Sequence, residues 1–235
     1  MGPGGVSEDL DADFLVFAER ARVLLDQART DVARQASTVL SKYQSSTTAV
    51  EACCASIIGR IDREFPPDGV EQKVHRAAIH ACLLQGADAV RNCIERAHYP
   101  QAAALVRQEI EAVECLRGLR QGKQRQGATP RLKALRHLGR CYADLTSLAH
   151  LSKWPILVHV VSSSPGNVDP HFNAEFAKFL YRLHVVALVG AAFDMAELRP
   201  FSAESDLSPQ EEAWLSALCG YLDSEGVLTP KFADD

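Results

Sequence analysis

The chain has neither a Gly-x-x-x-x-Gly-Lys-Ser/Thr loop nor a Gly-x-Gly-x-x-Gly fingerprint, which excludes the two commonest backbone cradles for phosphate. It also lacks a Gly-x-Ser-x-Gly elbow and a His-Glu-x-x-His helix, so the usual serine hydrolases and zinc peptidases are excluded. The two Glu-x-x-His helices of a di-iron bundle are missing as well. No two cysteines stand at the two-residue spacing of zinc knuckles; Cys53 and Cys54 are adjacent and point about 100° apart on a helix. His75 and Cys82 would share a helical face, but no second pair completes a tetrahedral set, so no metal or other cofactor is expected. Aromatic residues make up only 7% of the chain, and β-branched clusters are scarce, which disfavours sheet. The longest apolar run, Val185 to Phe193, is about half of what a membrane span needs, so no membrane association is expected. The opening Met1-Gly2-Pro3-Gly4-Gly5 has no basic start or apolar core, and Val6 replaces the Ser or Thr of a myristoylation signal. With seven cysteines, an odd number, the expectation is a reduced, cytoplasmic protein whose thiols act as small hydrophobes.

What is present is helical patterning. Phe14, Ala18, Ala21, Leu25, Ala28, Val32, Val39 and Tyr43 recur at spacings of three and four, widened by Phe17, Leu24, Ala36 and Leu40. Thr48 with Glu51 would open a second helix by a capping box, and one unbroken helix across 44–48 is the alternative. Phe65-Pro66-Pro67-Asp68-Gly69 is a break, after which a helix is predicted from Asp68 to about His98. Pro100 suits the first turn of the next helix, which runs to near Leu119. Thr129-Pro130 would start another, ending at about His150. Leu151 to Val168 reads as a short strand or long ordered loop; helix resumes from Asp169-Pro170 to Leu198. Ser208-Pro209-Gln210-Glu211 caps a last helix through Trp214 and Leu218. The expected fold is a single all-α domain over 1–235, a bundle of six to seven helices, with 1–8 and 229–235 disordered.

Charge is unevenly distributed. The net charge is −5, yet Cys115 to Ala143 holds eight positive side chains and no carboxylate, whereas ten carboxylates follow His184. Arg117, Arg120, Lys123, Arg125, Arg131 and Lys133 are therefore candidate contacts for RNA or another polyanion. The alternative is a solvated basic surface that offsets the acidic C-terminal third. No aromatic side chain lies between Glu114 and Tyr142, so base stacking is not supported there. Arg107 and Glu111 stand four apart on one helix; they form either an exposed ion pair or, if covered by the Trp154 segment, part of a site. His150 falls at a helix C-terminus, where the macrodipole favours its charged form.

The sequence Arg107-Gln108-Glu109-Ile110-Glu111-Ala112, followed by Arg140-Cys141-Tyr142 through Leu148-Ala149-His150, resembles uncharacterised all-helical bacterial proteins related to HEPN-type domains. The resemblance spans about 81–198 and rests on an Arg-x-x-x-Glu helix and a Tyr to Ala-His helix end. It implies an RNA- or nucleotide-phosphate-binding helical domain, with Arg107, Glu111, Arg140, Tyr142 and His150 as candidate site residues. If the chain is an enzyme, it implies a metal-independent ribonuclease that acts as a homodimer. HEPN ribonucleases separate an Arg from a His by four to six residues. Arg91 with His98 and Arg131 with His137 fit that spacing, which is as often as chance provides, and neither pair falls in the Tyr142 to His150 stretch. The other readings are a non-enzymatic interaction module or helical dimer, and a small-molecule sensor with a pocket under Trp154.

Overall fold

The computed structural model describes residues 5–60, 70–123, 127, 138–161, 171–196 and 207–224, with side chains from Phe14 onward except at positions 60, 70, 71, 154, 159 and 161. These residues form seven helices and no strand: α1 Gly5–Arg60, α2 Val70–Glu95, α3 Tyr99–Arg120, α4 Gly139–Ala149, α5 Trp154–Val161, α6 Ala174–Ala196 and α7 Pro209–Ser224. The architecture is an all-α bundle. Its axis is α6, which packs against α1, α2, α3 and α7, while α4 lies on α3. A helix apolar on every side must be covered on every side. Leu180, Leu183, Val185, Leu188, Ala191 and Ala192 of α6 are all buried accordingly. Among the described residues α6 alone is long and apolar enough to cross a membrane, and 67% of that apolar window is buried inside the bundle. Gly190 lets α6 approach α3 closely; a Cβ there would sit 3.0 Å from Val113 Cγ1.

Of the two readings at 44–48, the unbroken helix is the one observed: α1 runs through the segment, and no second helix opens at Thr48. Ser45, Ser46, Thr47 and Thr48 each return their hydroxyl to the carbonyl four residues earlier, at 3.0–3.1 Å, so the run of hydroxyls is absorbed without a cap. Residues 5–8, expected to be disordered, are already helical. Glu8 and Asp9 lie in the first turns, where carboxylates complement the positive end of the helix dipole.

The segment read as a loop over 151–168 instead contains α5. Pro155 falls in the first turn, where a missing N–H is harmless, and the amides of Ile156 and Leu157 reach Lys153 O at 3.1 Å. Ser208 and Glu211 form the expected capping box on α7: Ser208 N–H donates to Glu211 Oε2 at 2.8 Å, and Glu211 N–H to Ser208 Oγ at 3.3 Å. The Phe65 to Gly69 break, the Thr129-Pro130 start, residues 162–168 and residues 229–235 lie outside the described residues.

Helices α2, α3 and α4 each end in a turn of the same kind. Ala97, Gly122 and Leu151 adopt left-handed φ values of 56°, 64° and 52°. Amides of His98, Lys123 and Ser152 then reach back five residues, to the carbonyls of Cys93, Gly118 and Ser147, at 2.8–2.9 Å. Glycine adopts this conformation freely; alanine and leucine carry a penalty of about 1 kcal/mol. Leu151 therefore holds a strained turn immediately after His150.

Candidate functional site

Four of the five residues singled out by the resemblance meet on one face of the α3–α4 pair. On α3, Arg107 Nε lies 3.5 Å from Glu111 Oε1, an i,i+4 pair whose side chains are both about one-fifth exposed. Tyr142 on α4 donates its phenol O–H to the same Glu111 oxygen, at 2.5 Å. His150, the C-cap of α4, brings Nε2 to 3.4 Å from Arg107 Nη1. The order is Tyr142, Glu111, Arg107, His150. Glu111 places its charge beside the guanidinium without a hydrogen bond to Nε, and fixes the phenol on its other side; His150 is the exposed end. Burial pushes the Tyr142 phenol up, and the Glu111 hydrogen bond and charge push it further, with Arg107 opposing. Tyr142 is thus a proton donor in a hydrogen bond rather than a nucleophile.

Arg140 is not part of this arrangement. It is exposed on the first turn of α4, and two helical steps of 100° turn it almost opposite to Tyr142. Of the six candidate polyanion contacts, Arg120 and Lys123 are exposed at the end of α3, and Lys123 Nζ bonds Gln121 Oε1 at 3.3 Å. Arg117 is half-buried and sits 3.8 Å from Glu114, which neutralises part of its charge. Arg125, Arg131 and Lys133 lie outside the described residues, as do His137 and the Trp154 side chain. Arg91 is engaged by Asp88 and by Glu51 at 3.5 Å.

Glu111 also forms one edge of an open apolar groove of about 460 Å³ between α2 and α3. Its walls are Ile79, Cys82, Leu83 and Val90 on α2, and Leu105, Ala112 and Cys115 on α3. Glu109 also lines the groove and is buried, with both carboxylate oxygens 2.9 Å from His184 Nδ1. Burial pushes the Glu109 carboxyl up, against the opposing pull of His184.

A second buried polar group joins α2 to α6. Arg76 donates from Nε to Asp194 Oδ2 at 3.1 Å and from Nη2 to Asp194 O at 2.9 Å. His80 Nε2 is 2.9 Å from Asp194 Oδ2. Neither buried group was foreseen from the residues. The available signal was a pair of ionisable residues, His184 and Asp194, bracketing the most apolar run in the chain, with Arg76 and His80 at an i,i+4 spacing.

Among the described residues no cluster of three or more His, Cys, Asp or Glu is arranged to hold a metal ion. One Glu-x-x-His spacing does occur, Glu95 to His98. His98 lies past the end of α2, and Glu95 accepts from Tyr181 at 2.7 Å and Gln44 at 2.9 Å. No family model matches the chain, and neither a characterised protein nor a solved structure does.

Proposed function

We propose that the chain is a helical module that binds RNA or nucleotide phosphates on the α3–α4 face, with Arg107 and His150 as the phosphate contacts. The observation that carries this reading is the Arg107–His150 approach of 3.4 Å, held from behind by Glu111 and Tyr142. A guanidinium presents five N–H donors in a rigid fork, and Glu111 and His150 engage only part of them. A phosphate at the exposed edge would meet a planar donor set, next to an imidazole whose Nε2 faces the same guanidinium. Thirteen helical steps of 100° turn Arg120 to the other side of α3 from Arg107, so Lys123, exposed in the turn beyond the helix, is the further cation offered to a longer strand. The adjacent groove accommodates an apolar or base-like portion of the ligand; its walls are aliphatic, so contact there would be by packing and not by stacking.

The test is fluorescence anisotropy with a labelled single-stranded RNA, titrated at about 50 and about 200 mM salt. Binding should weaken steeply with salt, and Lys123→Ala should reduce the log–log slope by about 0.7 for one lost phosphate contact. Arg107→Gln should lower affinity about tenfold, as expected for losing one charge-assisted contact of 1.5 kcal/mol or so. Salt-independent binding, or an unchanged affinity in Arg107→Gln, removes the reading.

The same pair supplies the groups that metal-independent RNA cleavage needs: an imidazole to move the ribose hydroxyl proton and a guanidinium facing the charged phosphorane. Equal cleavage rates for the native chain and His150→Ala would reject that extension and leave the binding reading standing.

A further inference from the structure

At about 1.5 Å per residue, the 56 residues of α1 span about 84 Å, nearly twice the diameter of about 45 Å expected for a compact domain of this length. One end must project. From Val32 onward the helix buries Val32, Ala36, Leu40, Tyr43, Val50 and Ile57 in the bundle. The bundle reaches back to about Arg29, whose charge acts on His98 at the start of α3. Before that point the same helical stripe continues without its cover: Phe14 is 67% exposed, Phe17 69% and Leu24 66%, with Leu25 exposed beside them. Helical rotation places Phe14, Phe17, Ala21, Leu24 and Leu25 on the line that Val32, Ala36 and Tyr43 continue into the core. Exposed apolar surface of this continuity marks an interface.

We infer that this projecting segment pairs antiparallel with the same segment of a second copy of the chain. Charge selects both the partner and the direction. Glu8 to Glu19 carries five acids and no base, whereas Arg20 to Arg34 carries four arginines against two acids. Antiparallel pairing sets the acidic half of each helix against the arginine-rich half of the other. Parallel pairing sets five acids against five, a repulsion that short-range screening does not remove at low salt. The ion pairs within the segment, Arg22–Glu19, Arg29–Asp26 and Arg34–Asp31, are exposed i,i+3 contacts of small worth and can exchange for contacts across the pair. A lipid surface is the poorer fit, because the sequence from Glu8 to Glu19, which holds the exposed Phe14 and Phe17, carries five acids and no base.

Light scattering on the full chain should give twice the 25.7 kDa mass of one copy, falling to one copy on dilution. Phe17→Glu with Leu24→Glu should give the single-copy mass, while the circular dichroism and thermal midpoint show the bundle intact. Neutralising Asp9, Asp11 and Asp13 as Asn changes no apolar contact, and should weaken the dimer several-fold at low salt. A native chain that stays at 25.7 kDa at all concentrations, with or without recruitment to lipid vesicles, overturns the inference. So does a dimer indifferent to the two Glu substitutions. A dimer tightened by the Asn substitutions overturns the antiparallel arrangement, since only parallel pairing gains from losing those acids.

Discussion

Asp194 illustrates how a single ionisable residue is kept inside a helical core. Burial pushes its carboxyl up, but the His80 hydrogen bond, the Arg76 charge and the Arg76 hydrogen bond pull it below the ordinary aspartate range. A carboxyl depressed in the folded state contributes stability above its unfolded value of about 4, and that contribution is lost as pH falls through the lowered value. Asp194→Asn should therefore cost about 3 kcal/mol at neutral pH, because Arg76 is left buried without its counter-charge. Urea unfolding from pH 7 down to pH 3 should show a shallower acid loss in the variant than in the native chain. Leu151 makes the opposite kind of prediction. Its left-handed φ suits glycine, so Leu151→Gly should raise stability by about 0.5–1 kcal/mol in chemical denaturation, and its exposed side chain takes little packing with it. If the turn also sets the His150 position, RNA affinity will fall in the same variant, separating local strain from fold stability.

At the scale of the element, α1 shows why local signals were ambiguous. Ser45, Ser46, Thr47 and Thr48 are poor interior helix formers and good caps, so the sequence at 44–48 supports a break as readily as a continuation. Continuation prevails because the apolar stripe stays in phase on both sides: Leu40, Tyr43, Val50, Cys53 and Ile57 are all buried in the core, with the Tyr43 ring against Tyr181 of α6 and Tyr221 of α7, and a break would put half of them out of register. Ser45→Ala and Ser46→Ala should each stabilise the protein by a few tenths of a kcal/mol, about 0.3–0.5, because both hydroxyls are exposed and only bond their own helix. Thermal or urea midpoints will measure this, and a loss in either variant would mean that the hydroxyls serve something beyond α1. The eight residues of α5 were missed for a related reason: Pro155 and the following serines suggest irregular chain, yet proline in a first turn is compatible with helix.

Across the whole molecule, the net charge of −5 conceals two separate charge distributions. The positive one lies in the sequence between Arg117 and Arg140, which joins the two helices that carry the proposed phosphate contacts, and salt should weaken whatever binds there. The projecting part of α1 carries its own acidic and basic halves around an apolar stripe, so self-association should respond to salt more gently than RNA binding does. Running both measurements across one salt series would separate the two surfaces without any substitution.

The sequence by itself determined the all-helical class, the starts of α3 and α7, and the residue types able to contact phosphate, because periodicity, caps and first-turn prolines act locally; α6, expected from Asp169-Pro170, begins only at Ala174. It also marked Arg107, Glu111, Tyr142 and His150 one by one. Only the tertiary structure decided that these four share a face and that Arg140 turns away, because residues 43 positions apart meet only through the packing of α4 on α3. The buried Glu109–His184 and Asp194–Arg76–His80 groups were decided there too. Desolvation and pairing are properties of neighbours in space, and the order of residues along a chain does not contain them.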